Sequence, residues 1–107
     1  MPAKNSGYKR DEAAIAALPG PDKLRAWRKR KGISAQMLAR MLGLKNDGSI
    51  YQYEGRKLPL TYHRLVQVTA LTEIPLGELA WPHQLPVLRG FAEAIHRIAP
   101  LEQEASQ

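Results

Sequence analysis

Apolar residues return every three to four positions along most of this chain, and glycines and prolines cut the pattern into short lengths. That is helical periodicity with frequent stops, and it predicts an all-α fold. From Asp11 to Leu18 the sequence DEAAIAAL has helix-forming composition with acids at its start, enough for two turns before Pro19-Gly20-Pro21 stops it. A helix then begins near Pro21 or Asp22, where proline suits a first turn and aspartate suits the positive helix end. Leu24 and Trp27, helped by the stems of Arg28 and Lys31, make its inner face, and Gly32 ends it as a left-handed cap. Ser34 caps the next helix, with Ile33 and Leu38 at the spacing of a hydrophobic staple. Leu38, Met41 and Leu42 form its buried stripe, and Ala39 offers a small side where another helix can come close. Gly43 terminates it and Leu44 returns to the core.

A third short helix runs from about Asp47 or Gly48 to Glu54, capped by Asn46 or Asp47, with Ile50 and Tyr53 facing inward. Residues 34–53 therefore read as a helix-turn-helix. The outward face of the third helix carries Ser49, Gln52 and Arg56 in line, with Gly48 and Tyr51 beside them. These are hydrogen-bonding groups rather than the Glu and Lys of an ordinary solvated face. Gly55 and Pro59 bound a basic loop, Arg56-Lys57. Thr61 caps the helix YHRLVQVTAL, whose Leu65, Val68 and Leu71 fit a buried stripe, and Ile74 to Leu79 reads as one more short helix. Trp81 to Pro86 reads as a linker. A last helix, Val87 to about Ala99, gathers Val87, Leu88, Phe91, Ala94, Ile95 and Ile98 on one face before Pro100 ends it. The organisation expected is an N-terminal arm with a short helix over 1–20, a helical domain over 21–81, and a linker plus C-terminal helix over 82–107.

Charge sharpens this picture. The 107 residues, 44% of them hydrophobic, suit one small domain with a modest core. The net charge is +6, but it is segregated: residues 1–22 balance to 0, residues 23–64 carry +9, and residues 65–107 carry −3. The positive charge thus coincides with the helix-turn-helix segment, which points to a polyanionic partner. Lys4, Lys9 and Arg10 of the arm either touch phosphates or a minor groove, or form a tail without a partner. The cysteine count is 0, which excludes disulfides and thiolate metal sites and is compatible with a reducing cytosol. No apolar run approaches the ~18–20 residues of a membrane helix, and the N-terminus lacks the pattern of a signal peptide.

Phosphate contacts position a DNA-binding protein and base-edge contacts specify its sequence. Ser34, Gln36, Lys45, Arg56 and Lys57 are assigned to phosphate, and Asn46, Asp47, Gly48, Ser49, Tyr51 and Gln52 to the groove. Glutamine pairs both N6 and N7 of adenine, whereas serine and tyrosine are more permissive. Asp47 either accepts from cytosine N4 or caps the helix. Arg28 either braces Glu54 inside the fold or touches DNA. Enzymatic readings find little: His63, His83 and His96 lack metal-ligand spacing, there is no GxGxxG or P-loop, and Ser34 and Ser49 already have roles. No cofactor, no metal and no catalysis are expected.

Taken together, LRAWRKRKGIS, LARMLGL with Leu38-Ala39 and Gly43, Ile50, the pair Tyr53-Glu54, Pro59 and PLGEL at 75–79 carry a resemblance. From Leu24 to Leu79, about half of the chain, the sequence resembles the lambda-repressor-like, Cro/C1-type (Xre) helix-turn-helix family. The resemblance implies a five-helix bundle whose third helix enters the major groove, here followed by an extra C-terminal helix. Two features depart from the family pattern. Ala35 stands where the family carries a phosphate-touching glutamine, with Gln36 one position later. The Gly43–Ile50 spacing is one residue longer than usual, and Glu54–Pro59 about one shorter. The run Asn46-Asp47-Gly48-Ser49 is where this chain is individual.

The resulting expectation is a cytoplasmic, sequence-specific regulator that binds double-stranded DNA, a repressor acting as a homodimer on a pseudo-palindrome with half-sites about 34 Å apart. The C-terminal helix either dimerises or covers its own core. The alternative is an antitoxin or adaptor that uses the fold mainly to grip a protein partner. RNA binding ranks lower, because the few aromatics are committed to core positions.

Overall fold

The computed structural model describes residues 10–94. Lys4 and Lys9 of the arm, and Ile95, Ile98, Pro100 and the tail, lie outside the described residues. Among the described residues all regular structure is helical. The order is α1 (Glu12–Ala16), α2 (Gly20–Lys31), α3 (Ala35–Met41), α4 (Gly48–Glu54), α5 (Tyr62–Thr72), α6 (Leu76–Leu79), a 3-10 turn (Pro82–Gln84) and α7 over residues 85–94. The all-α expectation holds, while the helix count exceeds five plus one, because α1 precedes the bundle and the 3-10 turn intervenes before α7. No helix among the described residues is long and apolar enough to cross a membrane.

The local signals act as expected. Gly32 closes α2 at φ +68°, with the Ile33 amide donating to the Arg28 carbonyl at 2.8 Å. Ser34 Oγ accepts from the Met37 amide at 3.0 Å, and Thr61 Oγ1 from the Arg64 amide at 3.3 Å. Asp11 caps α1 through the Ala14 amide.

Two buried stripes are rotated from the expected ones. On α3 the buried residues are Ala35, Leu38, Ala39 and Leu42, at i, i+3, i+4 and i+7, while Met41 is 49% exposed. On α5 they are Leu65, Val68 and Thr72, and Leu71 lies at the exposed edge. Burial of Thr72 is tolerated because its hydroxyl donates to the Val68 carbonyl at 2.7 Å and accepts from the Ile74 amide at 3.1 Å. In both helices the bulkier residue sits one position off the arc that the neighbours cover.

The core joins Leu24 and Trp27 of α2 to Leu38 and Leu42 of α3, Ile50 and Tyr53 of α4, Leu65 and Val68 of α5, and Leu79 of α6. Two segments outside the expected 21–81 body also pack with it, α1 and the stretch after Trp81, whose Leu85 and Leu88 are partly buried against the cluster. Ile15 of α1 is buried in the same cluster. Trp81 is the largest fully buried side chain, and the segment read as a linker is locked in place after it. The Trp81 amide donates to Gln84 Oε1 at 2.9 Å, and Gln84 Nε2 donates to the Leu60 carbonyl at 2.6 Å, so one buried amide side chain joins the 3-10 turn to the approach of α5. Pro86 falls within the first turn of α7 rather than before it, a position proline tolerates.

α4 is held from three sides. It packs on α2 and α3, and the Tyr53 hydroxyl donates to the Leu79 carbonyl at 2.6 Å. Burial pushes the Tyr53 phenol well above its ordinary value, so it remains a donor. The start of α2 passes so close that a Cβ at Gly20 would lie on the Glu78 carbonyl oxygen, 2.5 Å from Tyr53 Oη and 2.8 Å from Leu79 Cα. Two of those three are backbone atoms that cannot swing away. Gly20→Ala should therefore lower unfolding free energy by about 1–3 kcal/mol, the usual cost of overpacking. Urea denaturation checks this, and a variant as stable as the wild type would show that the α2–α6 contact is loose.

Candidate nucleic-acid interface

The α3–α4 unit is built from local instructions. Gly43 takes φ +78° after α3, its amide donating to the Arg40 carbonyl at 3.0 Å and that of Leu44 to the Ala39 carbonyl at 2.8 Å. Glycine accepts this left-handed backbone at little cost, and the chain turns toward α4. Asn46 Oδ1 accepts from the Gly48 amide at 2.9 Å and so satisfies the start of α4. Asp47, the residue at the N-cap position, makes no side-chain cap bond. Of the two proposed caps, Asn46 does the capping, and the Asp47 carboxylate is left half-buried at the leading end of the helix.

From there α4 has two distinct sides. Ile50 and Tyr53 are fully buried. Ser49 and Gln52 are exposed, and Tyr51 is 58% exposed. Gly48 and Gly55 lie on the same stripe as Tyr51 and Gln52, at i, i+3, i+4 and i+7.

Behind this face sits a buried ion pair. Arg28 Nε and Nη2 donate to the two Glu54 carboxylate oxygens at 2.8 and 2.7 Å, and Nη1 donates to the Ile33 carbonyl at 3.0 Å. The side chains are only 10% and 6% exposed. The Glu54 contact raises the Arg28 guanidinium above its ordinary value, so the charge is permanent. Of the two roles open to Arg28, the fold uses the internal one.

Arg56 is a correction to the phosphate set. Its guanidinium donates to the Ile15 carbonyl at 3.2 Å and the Leu18 carbonyl at 2.7 Å, with Asp22 at 3.3 and 3.4 Å. It thereby ties the end of α1 and the start of α2 to the end of α4. The residue adopts φ +61°, a left-handed backbone that residues other than glycine resist. Arg10 adds a second tie, donating to the Lys57 carbonyl at 3.0 Å and the Arg56 carbonyl at 3.3 Å, with its guanidinium over the Trp81 ring at 5.1 Å.

The other phosphate candidates are on the surface. Ser34 is exposed although its hydroxyl caps α3, and Gln36, Lys45 and Lys57 are exposed. Ala35, at the position where glutamine was expected, is buried, so Gln36 is the polar side chain that reaches solvent from the first turn of α3, beside the exposed Met37. Of the eleven cations in residues 23–64, ion pairs occupy Lys23, Arg28 and Arg56. The remaining eight, Arg25, Lys29, Arg30, Lys31, Arg40, Lys45, Lys57 and Arg64, have no acidic partner among the described residues.

One grouping escapes sequence reasoning. A cleft of about 250 Å³ brings Ser49 of α4 together with Leu44, Pro59, Leu60, Thr61, His63 and Arg64. His63 and Arg64 follow the cap of α5 by two and three residues, so the polar end of that helix borders the α4 face. The only sequence signal was the Thr61 cap, which says where α5 begins but not what it begins beside.

No protein-family model, no curated protein and no solved structure matches this chain.

The two internal arginines yield a stability prediction. Glu54→Ala strands a buried guanidinium and should cost about 3–5 kcal/mol, whereas replacing Arg28 with Met and Glu54 with Leu together should recover most of that loss. Arg56→Ala should cost about 1.5–3 kcal/mol through its charge-assisted bonds to carbonyls. Urea unfolding monitored by tryptophan fluorescence measures all three, and an Arg56→Ala midpoint equal to the wild type would return that side chain to the surface set.

Proposed function

We propose that this chain is a sequence-specific regulator that binds double-stranded DNA, with α3 and α4 as a lambda-repressor-like helix-turn-helix and α4 in the major groove. The observation that carries the reading is the two-sidedness of α4. Its inner face is fixed by Ile50, Tyr53 and the Arg28–Glu54 pair, and its outer face offers neutral hydrogen-bonding groups. A helix with side chains is about 10–12 Å across and the major groove about 12 Å wide, so such a face can reach base edges. Lys45 and Lys57 flank α4 in sequence, and Arg64 borders its Ser49 edge across the cleft. These cations suit the phosphates on either side of a groove.

In this reading Ser34, Gln36, Lys45 and Lys57 hold phosphates, Arg64 joins them, and Asn46, Asp47, Gly48, Ser49, Tyr51 and Gln52 face the bases. The protein is cytoplasmic and represses as a two-fold dimer on a pseudo-palindromic operator. Its α7 surface supplies the second contact, since Val87 is 44% and Phe91 57% exposed beside a groove lined by Leu76, Leu85 and Leu88. The same exposed face favours a second reading, an antitoxin or adaptor in which α7 grips a partner protein.

Duplex titrations across salt concentrations test the main reading. The logarithm of affinity should fall linearly with the logarithm of salt concentration, and Lys45→Ala and Lys57→Ala should each flatten the slope by about one contact while weakening all sequences alike. A folded protein that binds no duplex at low salt, yet retains a protein partner through Phe91, would replace this reading with the second.

A further inference from the structure

The outward chemistry of α4 is narrow. Gly48 and Gly55 bound its exposed stripe and contribute no side chain, so Tyr51 and Gln52 project between two bare ends, with Ser49 at the edge. Gly48–Glu54 contains neither lysine nor arginine. The first cation beyond it, Arg56, is turned into the fold by the Ile15 and Leu18 carbonyls. Ahead of the helix, Asn46 Oδ1 accepts from the Gly48 amide, which leaves the side-chain NH2 group as a donor. It cannot readily give the paired donor and acceptor that an adenine edge takes.

Guanine is read in the major groove chiefly by a bidentate arginine or lysine on O6 and N7, and α4 offers neither. A glutamine amide matches adenine N6 and N7 together, and an apolar ring surface matches the C5-methyl group of thymine. The Asp47 carboxylate accepts from cytosine N4 or adenine N6 alike, so it does not separate the two kinds of base pair.

We infer that the base pairs beneath α4 are A·T, with Gln52 pairing the adenine edge, the Tyr51 ring packing on a thymine methyl, and guanine left unread. This rests on the DNA-binding reading above. It divides the labour by charge: the surface cations of this segment serve phosphates, and no cation serves a base.

The full chain, its Tyr51→Ala variant and its Gln52→Ala variant are each used to select duplexes from a random library. Both side chains are exposed, and circular dichroism melts should show all three proteins equally folded. Positions whose base preference differs between wild type and variants lie beneath α4. They should be A·T pairs for the wild type, and guanine in place of the adenine paired by Gln52 should weaken binding about 5- to 150-fold. Replacing thymine with deoxyuridine removes one methyl group, and should weaken the wild type about fourfold while leaving Tyr51→Ala unchanged. Guanine fixed at those positions overturns the inference, as does a uracil effect that is absent from the wild type or equal in Tyr51→Ala. A folded wild type that selects no duplex overturns the DNA reading itself, and this inference with it.

Discussion

Arg28 holds three segments at once. Its stem lies in α2, its fork clasps Glu54 at the end of α4, and its remaining nitrogen holds the Ile33 carbonyl ahead of α3. The helices of the candidate reading unit are therefore referenced to one guanidinium. A pair so withdrawn from water gains little net stability over a well-packed apolar pair, because desolvation offsets the attraction. What it supplies is geometry, since a planar fork accepts a carboxylate in few orientations. The seven-residue helices α3 and α4 are stable in this arrangement because α2 and the core hold them, since helices that short are marginal on their own.

A second constraint works on the far end of α4. Arg56 and Arg10 fasten the chain before α2 to the turn after α4, and Ile15 fills the core beneath them. The body of the protein thus starts ahead of α2. Two of the arginines in a strongly basic chain, Arg28 and Arg56, are internal fasteners, so formal charge overstates what a polyanion would meet. The eight cations of residues 23–64 without acidic partners among the described residues nonetheless keep that segment strongly positive.

Much of the fold was legible because its punctuation is local. Gly32, Ser34, Gly43 and Thr61 act within a few residues of where they stand, and Leu24, Ile50, Tyr53 and Leu65 follow helical spacing. What was not legible depends on residues far apart in sequence. The partners of Arg56 lie 34 to 41 positions away, so a cation beside a helix-turn-helix read as a phosphate contact. Gln84 reaches Leu60 across 24 positions, so two prolines made its segment look like a linker. Met41 and Leu71 failed differently: periodicity defines an arc, and only the packed neighbours decide which edge of the arc they cover. Within the candidate site, the outward position of Ser49, Tyr51 and Gln52 follows from the burial of Ile50 and Tyr53, whereas the approach of His63 and Arg64 needed the tertiary structure.

The Gln84 bridge has a mechanical meaning. Because Trp81 is buried and Gln84 is bonded to Leu60, α7 leaves the body in a direction set by the core rather than by a hinge. In any symmetric assembly formed through α7, the separation of the two α4 helices would be a fixed length, with the Trp81–Gln84 turn as the joint of the ruler. If such an assembly bound DNA, as proposed above, rigidity would select its half-site spacing, and tolerance for other spacings would have to come from bending the DNA.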